Sequence, residues 1–205
     1  MAAVKILALD VSTKTGWSLG SSEGENYTLL AYGKIEKTTE PEGQYPGNYV
    51  EWARDCYHQI DLLILEHEPH VLVIEETASG SKSIYSQKIL EWTHFLLAQK
   101  IKESNMKAIY LLTVQWRRET GCLMTKEESK HNKTVKTFKK AHDTSIAYDE
   151  NGKRIGKITR KHVNVRRANE VFSKFLKEPL RMKDEDTADS LLLGYCYHLR
   201  RKVNG

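Results

Sequence analysis

The stretch that most constrains this chain is its first run of apolar residues, Val4-Lys5-Ile6-Leu7-Ala8-Leu9, which ends in Asp10 and is followed by Ser12, Thr13, Thr15 and Gly16. A run this short and apolar, stopped by turn-forming residues, predicts a central strand buried on both faces. Asp10 then stands at the carboxyl edge of a sheet, where α/β proteins place their ligands. An aspartate at a strand end also serves simply to accept backbone N–H groups in a turn. The remainder of the chain has to decide between these roles.

A second apolar strand, Val71-Leu72-Val73-Ile74, also runs directly into acid, Glu75-Glu76. Between the two lie expected strands at Gly16–Leu19 and Tyr27–Ile35, joined by turn residues from Ser21 to Asn26. A loop from Thr38 to Gly47 follows. A helix from Asn48 to about His67 then carries Val50, Ala53, Tyr57, Ile60 and Ile64 on one stripe and stops before Pro69. After the Gly/Ser loop from Thr77 to Ser83, a helix over Ile84–Ser104 and a strand over Ala108–Val114 are expected. Three strands, helix, strand, helix, strand predict an α/β fold with a mixed five-stranded sheet flanked by helices.

Farther on, Lys126–Ala141 reads as a basic helix. Tyr148–Ile158 reads as a hairpin turning at Asn151-Gly152, and Arg166–Leu176 as a helix closed by Pro179. The last element is the clearest. Ala188, Leu191, Leu192, Tyr195, Cys196 and Leu199 recur at helical spacing over Thr187–Arg201, an amphipathic helix packing on the sheet. Asp186 and Asp189, three residues apart at its start, share a helix face. Asp186 alone suits an N-cap, but Asp189 adjoins the apolar stripe and requires a compensating charge. If this helix crosses the ends of the first and fourth strands, Asp10, Glu75, Asp186 and Asp189 converge. Four such carboxylates repel one another unless a cation lies among them, and hard oxygen donors suit Mg²⁺ or Mn²⁺.

Charge is segregated along the chain. The net charge is +5 over 205 residues, yet Lys126–Arg167 holds 13 Lys or Arg against 5 Asp or Glu, a local net of +8, and the remainder nets −3. Such asymmetry is the footprint of a polyanion-binding face. It nominates Lys133, Lys136, Lys139, Lys140, Arg160 and Lys161 as DNA contacts, together with Arg117 ahead of the stretch. The histidines of this stretch lack metal-ligand spacing. Cys56, Cys122 and Cys196 are isolated and suit a reducing cytosol, and no run approaches the ~20 apolar residues of a membrane span. A single domain with a basic insertion at about 124–162, in a cytoplasmic setting, is therefore expected.

Three motifs in order, Leu-Ala-Leu-Asp10-x-Ser12-x-x-Thr15-Gly16, then Val73-Ile74-Glu75-Glu76, then Asp186-x-Ala188-Asp189-Ser190-Leu191, resemble the RuvC family of Holliday junction resolvases. The likeness covers roughly Val4–Asn105 and Val163–Arg201. It implies an RNase H-like fold, a homodimer, and Mg²⁺-dependent paired symmetric nicking of four-way DNA junctions by a two-metal route, in which two ions activate water and stabilise the leaving oxygen. Carried over, Asp10, Glu75, Asp186 and Asp189 become the metal-binding and catalytic carboxylates. Glu75 is preferred to Glu76 because it directly follows the Val-Ile pair. The loop after Glu75 lies where family members reach into the junction, which nominates Lys82, Ser83 and Tyr85, and Lys161 resembles the family's lysine near the active site. The long basic segment marks a divergent, phage-type member. Competing readings are a nuclease of the same fold acting on flaps, Y-forms or RNA–DNA hybrids, and a non-catalytic junction-binding protein. A sugar-kinase or actin-like ATPase is disfavoured by length and by the lack of a second Asp-x-Gly turn.

Overall fold

The computed structural model describes residues 2–12, 14–36, 43–76, 84–149 and 151–204, with the backbone alone at 84, 85 and 204. Strands β1 (Val4–Asp10), β2 (Lys14–Glu23), β3 (Asn26–Glu36), β4 (Val71–Glu75) and β5 (Lys107–Leu111) form one sheet in the order β3-β2-β1-β4-β5. β1 pairs antiparallel with β2 and parallel with β4, β2 pairs antiparallel with β3, and β4 pairs parallel with β5. This is the mixed sheet expected of the sequence.

β1 sits at the centre because both its faces are apolar. Ile6 and Ala8 enter one core with Val71 and Val73 of β4, whereas Leu7 and Leu9 enter the other with Leu72 and Ile74. Strand side chains alternate between faces, and here two layers of helix cover the two faces. Helices α1 (Gly47–His67) and α2 (Ile84–Glu103) close the face of Leu7 and Leu9 through Ile60, Ile64 and Leu97. Helices α3 (Thr113–Glu119), α5 (Arg160–Phe172) and α6 (Glu185–Asn204) close the other through Trp116, Ala168, Phe172, Ala188, Leu191 and Leu192. Burying each Leu, Ile or Phe in such a layer stabilises the fold by ~1.5–3 kcal/mol.

Several boundaries differ from the sequence reading. β2 runs on to Glu23, and its turn to β3 is only Gly24-Glu25, with Gly24 at φ +52 where a side chain is strained. β5 ends at Leu111, and Val114 lies in the helix α3, because Trp116 reaches full burial only if the chain turns there. α5 begins at Arg160 rather than Arg166. The His162 ring receives the Thr159 N–H (3.2 Å) and hydroxyl (2.7 Å), and Val163, Ala168 and Phe172 are buried against the sheet. It ends at Phe172, four residues short of Leu176.

The basic segment folds as α4 (Lys126–Ala141) followed by a short hairpin, β6 (Ala147–Tyr148) and β7 (Arg154–Ile155). α4 opens on a capping box in which Thr125 and Glu128 exchange hydrogen bonds. The hairpin turn is organised by Asp149 Oδ1, which accepts from the N–H groups of Asn151 (3.0 Å) and Lys153 (2.9 Å). Among the described residues no helix is long and apolar enough to cross a membrane.

Candidate active site

Side-chain parity along the strands builds the site. Asp10 lies two residues beyond Ala8, and Glu75 two beyond Val73, so both project on the α6 face of the sheet. Leu9 is paired with Ile74, which sets Asp10 and Glu75 level on adjacent parallel strands. Glu76, just past the strand end, also lines the depression, but it is Glu75 that joins Asp10 and Asp189 in the compact set. α6 then delivers Asp189 to the same place, one residue past the fully buried Ala188.

α6 reaches this position because Gly16, opposite Asp10 on β2, has no side chain. A Cβ at Gly16 would lie 1.9 Å from the main-chain oxygen of Asp186 and 2.7 Å from the nitrogen of Thr187. The Ser18 hydroxyl donates to the Ser190 carbonyl (2.9 Å) and holds the helix onto the sheet. The tight turn leading into α6 is closed by Asp184, whose carboxylate accepts the Arg181 N–H (3.0 Å). Asp186 is therefore free of that capping role.

Carboxylate oxygens of Asp10, Glu75 and Asp189 lie within 4.8 Å of one another. Asp186 is half-buried and lines the same depression without joining that compact set. Burial, followed by repulsion from Glu75, Asp189 and Asp186, holds the Asp10 carboxyl well above its ordinary range. Asp189 is pushed up to about 7 by burial, with Glu75 adding to the shift and the Arg117 guanidinium and an Asn164 hydrogen bond opposing it. Asp186 is raised by burial and by Glu185. Three carboxylates gathered this closely repel one another and call for positive charge among them. The set fits a divalent cation, with Asp10, Glu75 and Asp189 as the donors.

Two cations flank the acids. Arg117 Nη2 stands 3.4 Å from Asp189 Oδ2, and Lys161 is ion-paired with Glu185. Both line the depression with the acids. The sequence reading placed both among DNA contacts and Lys161 also near the active site; the fold seats both at the rim of the acids. It did not single out three supporting groups. The Thr113 hydroxyl donates to Glu75, Asn164 Nδ2 donates to Asp189 Oδ1 (2.7 Å), and Glu185 holds Lys161. Asn164 alone left a signal, as an amide between two valines on a helix face that is otherwise apolar, and it is fully buried.

The nominated residues of α4 and Arg160 do not line this depression. Lys133, Lys136 and Lys140 are exposed and Lys139 half-exposed on α4, and Arg160 is exposed at the start of α5. Lys82, Ser83 and the side chain of Tyr85 lie outside the described residues.

No protein-family model matches the chain, and no curated protein matches it by sequence. Solved structures do. The Thermus thermophilus RuvC in complex with a Holliday junction substrate superposes with a TM-score of 0.62 at 11% identity, over 97% of this chain and 96% of that one. A second Thermus thermophilus RuvC structure gives 0.60 at 13% identity, over 98% and 96%. The yeast mitochondrial Holliday junction resolvase gives 0.51 at 11% identity, over 97% and 83%. With β1, β4 and α6 bringing their acids to one sheet edge, this chain has the RNase H-like fold of the RuvC-type resolvases.

Proposed function

We propose that the protein is a Mg²⁺-dependent endodeoxyribonuclease that resolves four-way DNA junctions by paired symmetric nicks, acting as a homodimer. The observation that carries this reading is the convergence of carboxylate oxygens of Asp10, Glu75 and Asp189 within 4.8 Å of one another. Asp10, Glu75 and Asp189 would hold the metal, with Asp186 at the rim. Bound Mg²⁺ or Mn²⁺ would supply water activation and stabilise the charge that builds on the leaving oxygen of a phosphodiester.

The chain's own side chains set the stage for that chemistry. Thr113 orients Glu75 and Asn164 orients Asp189, so neither carboxylate is free to rotate away. Arg117 and Lys161 bring positive charge to where a phosphate enters, and Glu185 keeps Lys161 extended along the rim. Lysines of α4 extend the positive field beyond the site and add phosphate contacts. Leu65 and Phe95, 61% and 67% exposed on α1 and α2, provide apolar surface for a second copy on the opposite face of the sheet.

The test is cleavage of an end-labelled four-way junction in Mg²⁺ beside matched flap, Y-form, RNA–DNA hybrid and linear duplex. Paired nicks on the junction, lost in Asp10→Asn and Asp189→Asn while junction binding persists, are expected. Equal cutting of flaps or hybrids would replace the resolvase reading with a general nuclease of this fold. Tight binding without cutting in either Mg²⁺ or Mn²⁺ would leave a junction-binding protein.

A further inference from the structure

The insertion carries aromatic rings where a purely electrostatic phosphate-binding arm needs none. Phe138 of α4 stands between two shallow grooves. One is lined by His131, Phe138, Tyr148 and Ile155, the other by Lys130, Lys133, Phe138 and His142. The Phe138 and His142 rings stack, with centroids 4.2 Å apart and planes 18° apart, and Tyr148 meets Phe138 edge-on at 6.2 Å. Tyr148 is 41% exposed. The aromatic cluster therefore lies open at the surface rather than serving as the hairpin's core, a role taken by the fully buried Val135 and Ala147.

On α4 the charge beside the rings is of one sign, and the one acid lining the Phe138–Tyr148 groove among the described residues, Asp149, has Oδ1 engaged by the N–H groups of Asn151 and Lys153. From Lys130 to Ala141 the helix has five lysines and no acid. The ion-paired lysines among the described residues are Lys34, Lys100, Lys161 and Lys202, none of them on α4. Unpaired lysines beside solvent-accessible aromatic rings are what a single-stranded nucleic acid requires, because only an unpaired strand offers base faces for stacking along with its phosphates. Duplex DNA hides those faces, and an acidic peptide would use the lysines alone.

The module is also fastened to the element that bears Lys161. Asn132 of α4 exchanges hydrogen bonds with the main-chain N–H (2.8 Å) and carbonyl (2.9 Å) of Ile158, and Glu128 pairs with Arg166 of α5 (3.1 Å). A strand held on the insertion is thus held in fixed relation to α5.

We propose that the insertion is a second nucleic-acid site, specific for unpaired strand, in which the Phe138–Tyr148 groove stacks a base and the α4 lysines hold its phosphates. It uses none of the carboxylates, so it stands or falls separately from the nuclease reading.

The test is fluorescence anisotropy of the full chain in EDTA with a labelled short oligothymidine and with a blunt duplex of equal length. Phe138→Leu combined with Tyr148→Ala keeps apolar volume in the groove and removes both rings. It should weaken single-strand binding about tenfold or more, the loss of one to two stacked bases, and change duplex binding less than about twofold. An unchanged single-strand affinity, or equal losses on both DNAs, would overturn the proposal, as would polyglutamate competing as well as oligothymidine does. Because the double variant could disturb the hairpin, the wild-type protein is also photo-crosslinked to an iodouridine oligonucleotide. Adducts on the peptides bearing Phe138, His142 or Tyr148 support the site, and adducts confined to other regions refute it.

Discussion

At the scale of single residues, the carboxylates govern how metal-free stability responds to pH. The folded chain holds the Asp10 and Asp189 protons more tightly than the unfolded chain does. In the absence of metal, the stability these two groups contribute is therefore fully present in acid and is lost as pH climbs above the ordinary carboxylate range, through about 7 for Asp189. Melting curves in EDTA should show Tm decreasing across that interval, and Mg²⁺ should raise Tm more at pH 8 than at pH 6, because protons no longer compete for the oxygens. Asp10→Asn removes one like charge from the cluster. It should raise Tm in EDTA at pH 8 by about 2–4 °C, the equivalent of ~1 kcal/mol in a chain of this size. A metal-free Tm that ignores pH would contradict this electrostatic picture. Arg117 acts in the opposite sense, since it lowers the Asp189 pKa. Arg117→Gln should move the Asp189 titration above about 7, which carbon-13 NMR of the carboxyl groups can follow.

At the scale of elements, the site depends on how closely α6 approaches β2. Gly16→Ala places a methyl group against the Asp186 carbonyl and the Thr187 nitrogen, which are backbone atoms with no rotamer to yield. The helix start has to retreat, taking Asp186 and Asp189 with it. A destabilisation of ~1–3 kcal/mol is expected, with a larger fractional loss in the Tm gain produced by Mg²⁺. Gly156→Ala, where a Cβ meets open space, is the neutral comparison. If both substitutions behave alike, the close approach of α6 does not position the acids. α3 matters for a related reason: its Trp116 is fully buried beneath α6 and thereby aims Arg117 at Asp189.

At the scale of the whole molecule, the proposed function gives the two faces of the sheet different work. Acids and basic groups occupy the α5–α6 side, and exposed Leu65 and Phe95 occupy the α1–α2 side. Leu65→Glu with Phe95→Glu should convert a dimer to a monomer in sedimentation equilibrium without changing the circular dichroism spectrum. A dimer that survives both changes places its interface elsewhere. On the opposite side, Lys133→Ala, Lys136→Ala and Lys140→Ala together should weaken DNA binding, that of single strand included. Each lost phosphate contact should flatten the dependence of log K on log salt by about one.

Much of this arrangement follows from the amino-acid sequence alone, because the determining interactions are local or periodic. Apolar runs too short for helices made β1 and β4 legible, spacing by three and four made α6 legible, and the order of the acids followed from where those runs stop. The segregated charge marked the insertion because it is a matter of counting. Tertiary structure decided what depends on which surfaces meet. Asp10 and Glu75 share parity in the sequence, but only the docking of α6 on their face of the sheet, rather than on the face of Leu9 and Ile74, makes them neighbours of Asp189. The same docking sets Asp186 at the rim, turns Arg117 and Asn164 from one basic and one polar residue into partners of Asp189, and bends the chain after β5 into α3. A buried charge takes whatever compensating group the packing brings within reach, and that group comes from distant parts of the chain that no local pattern connects.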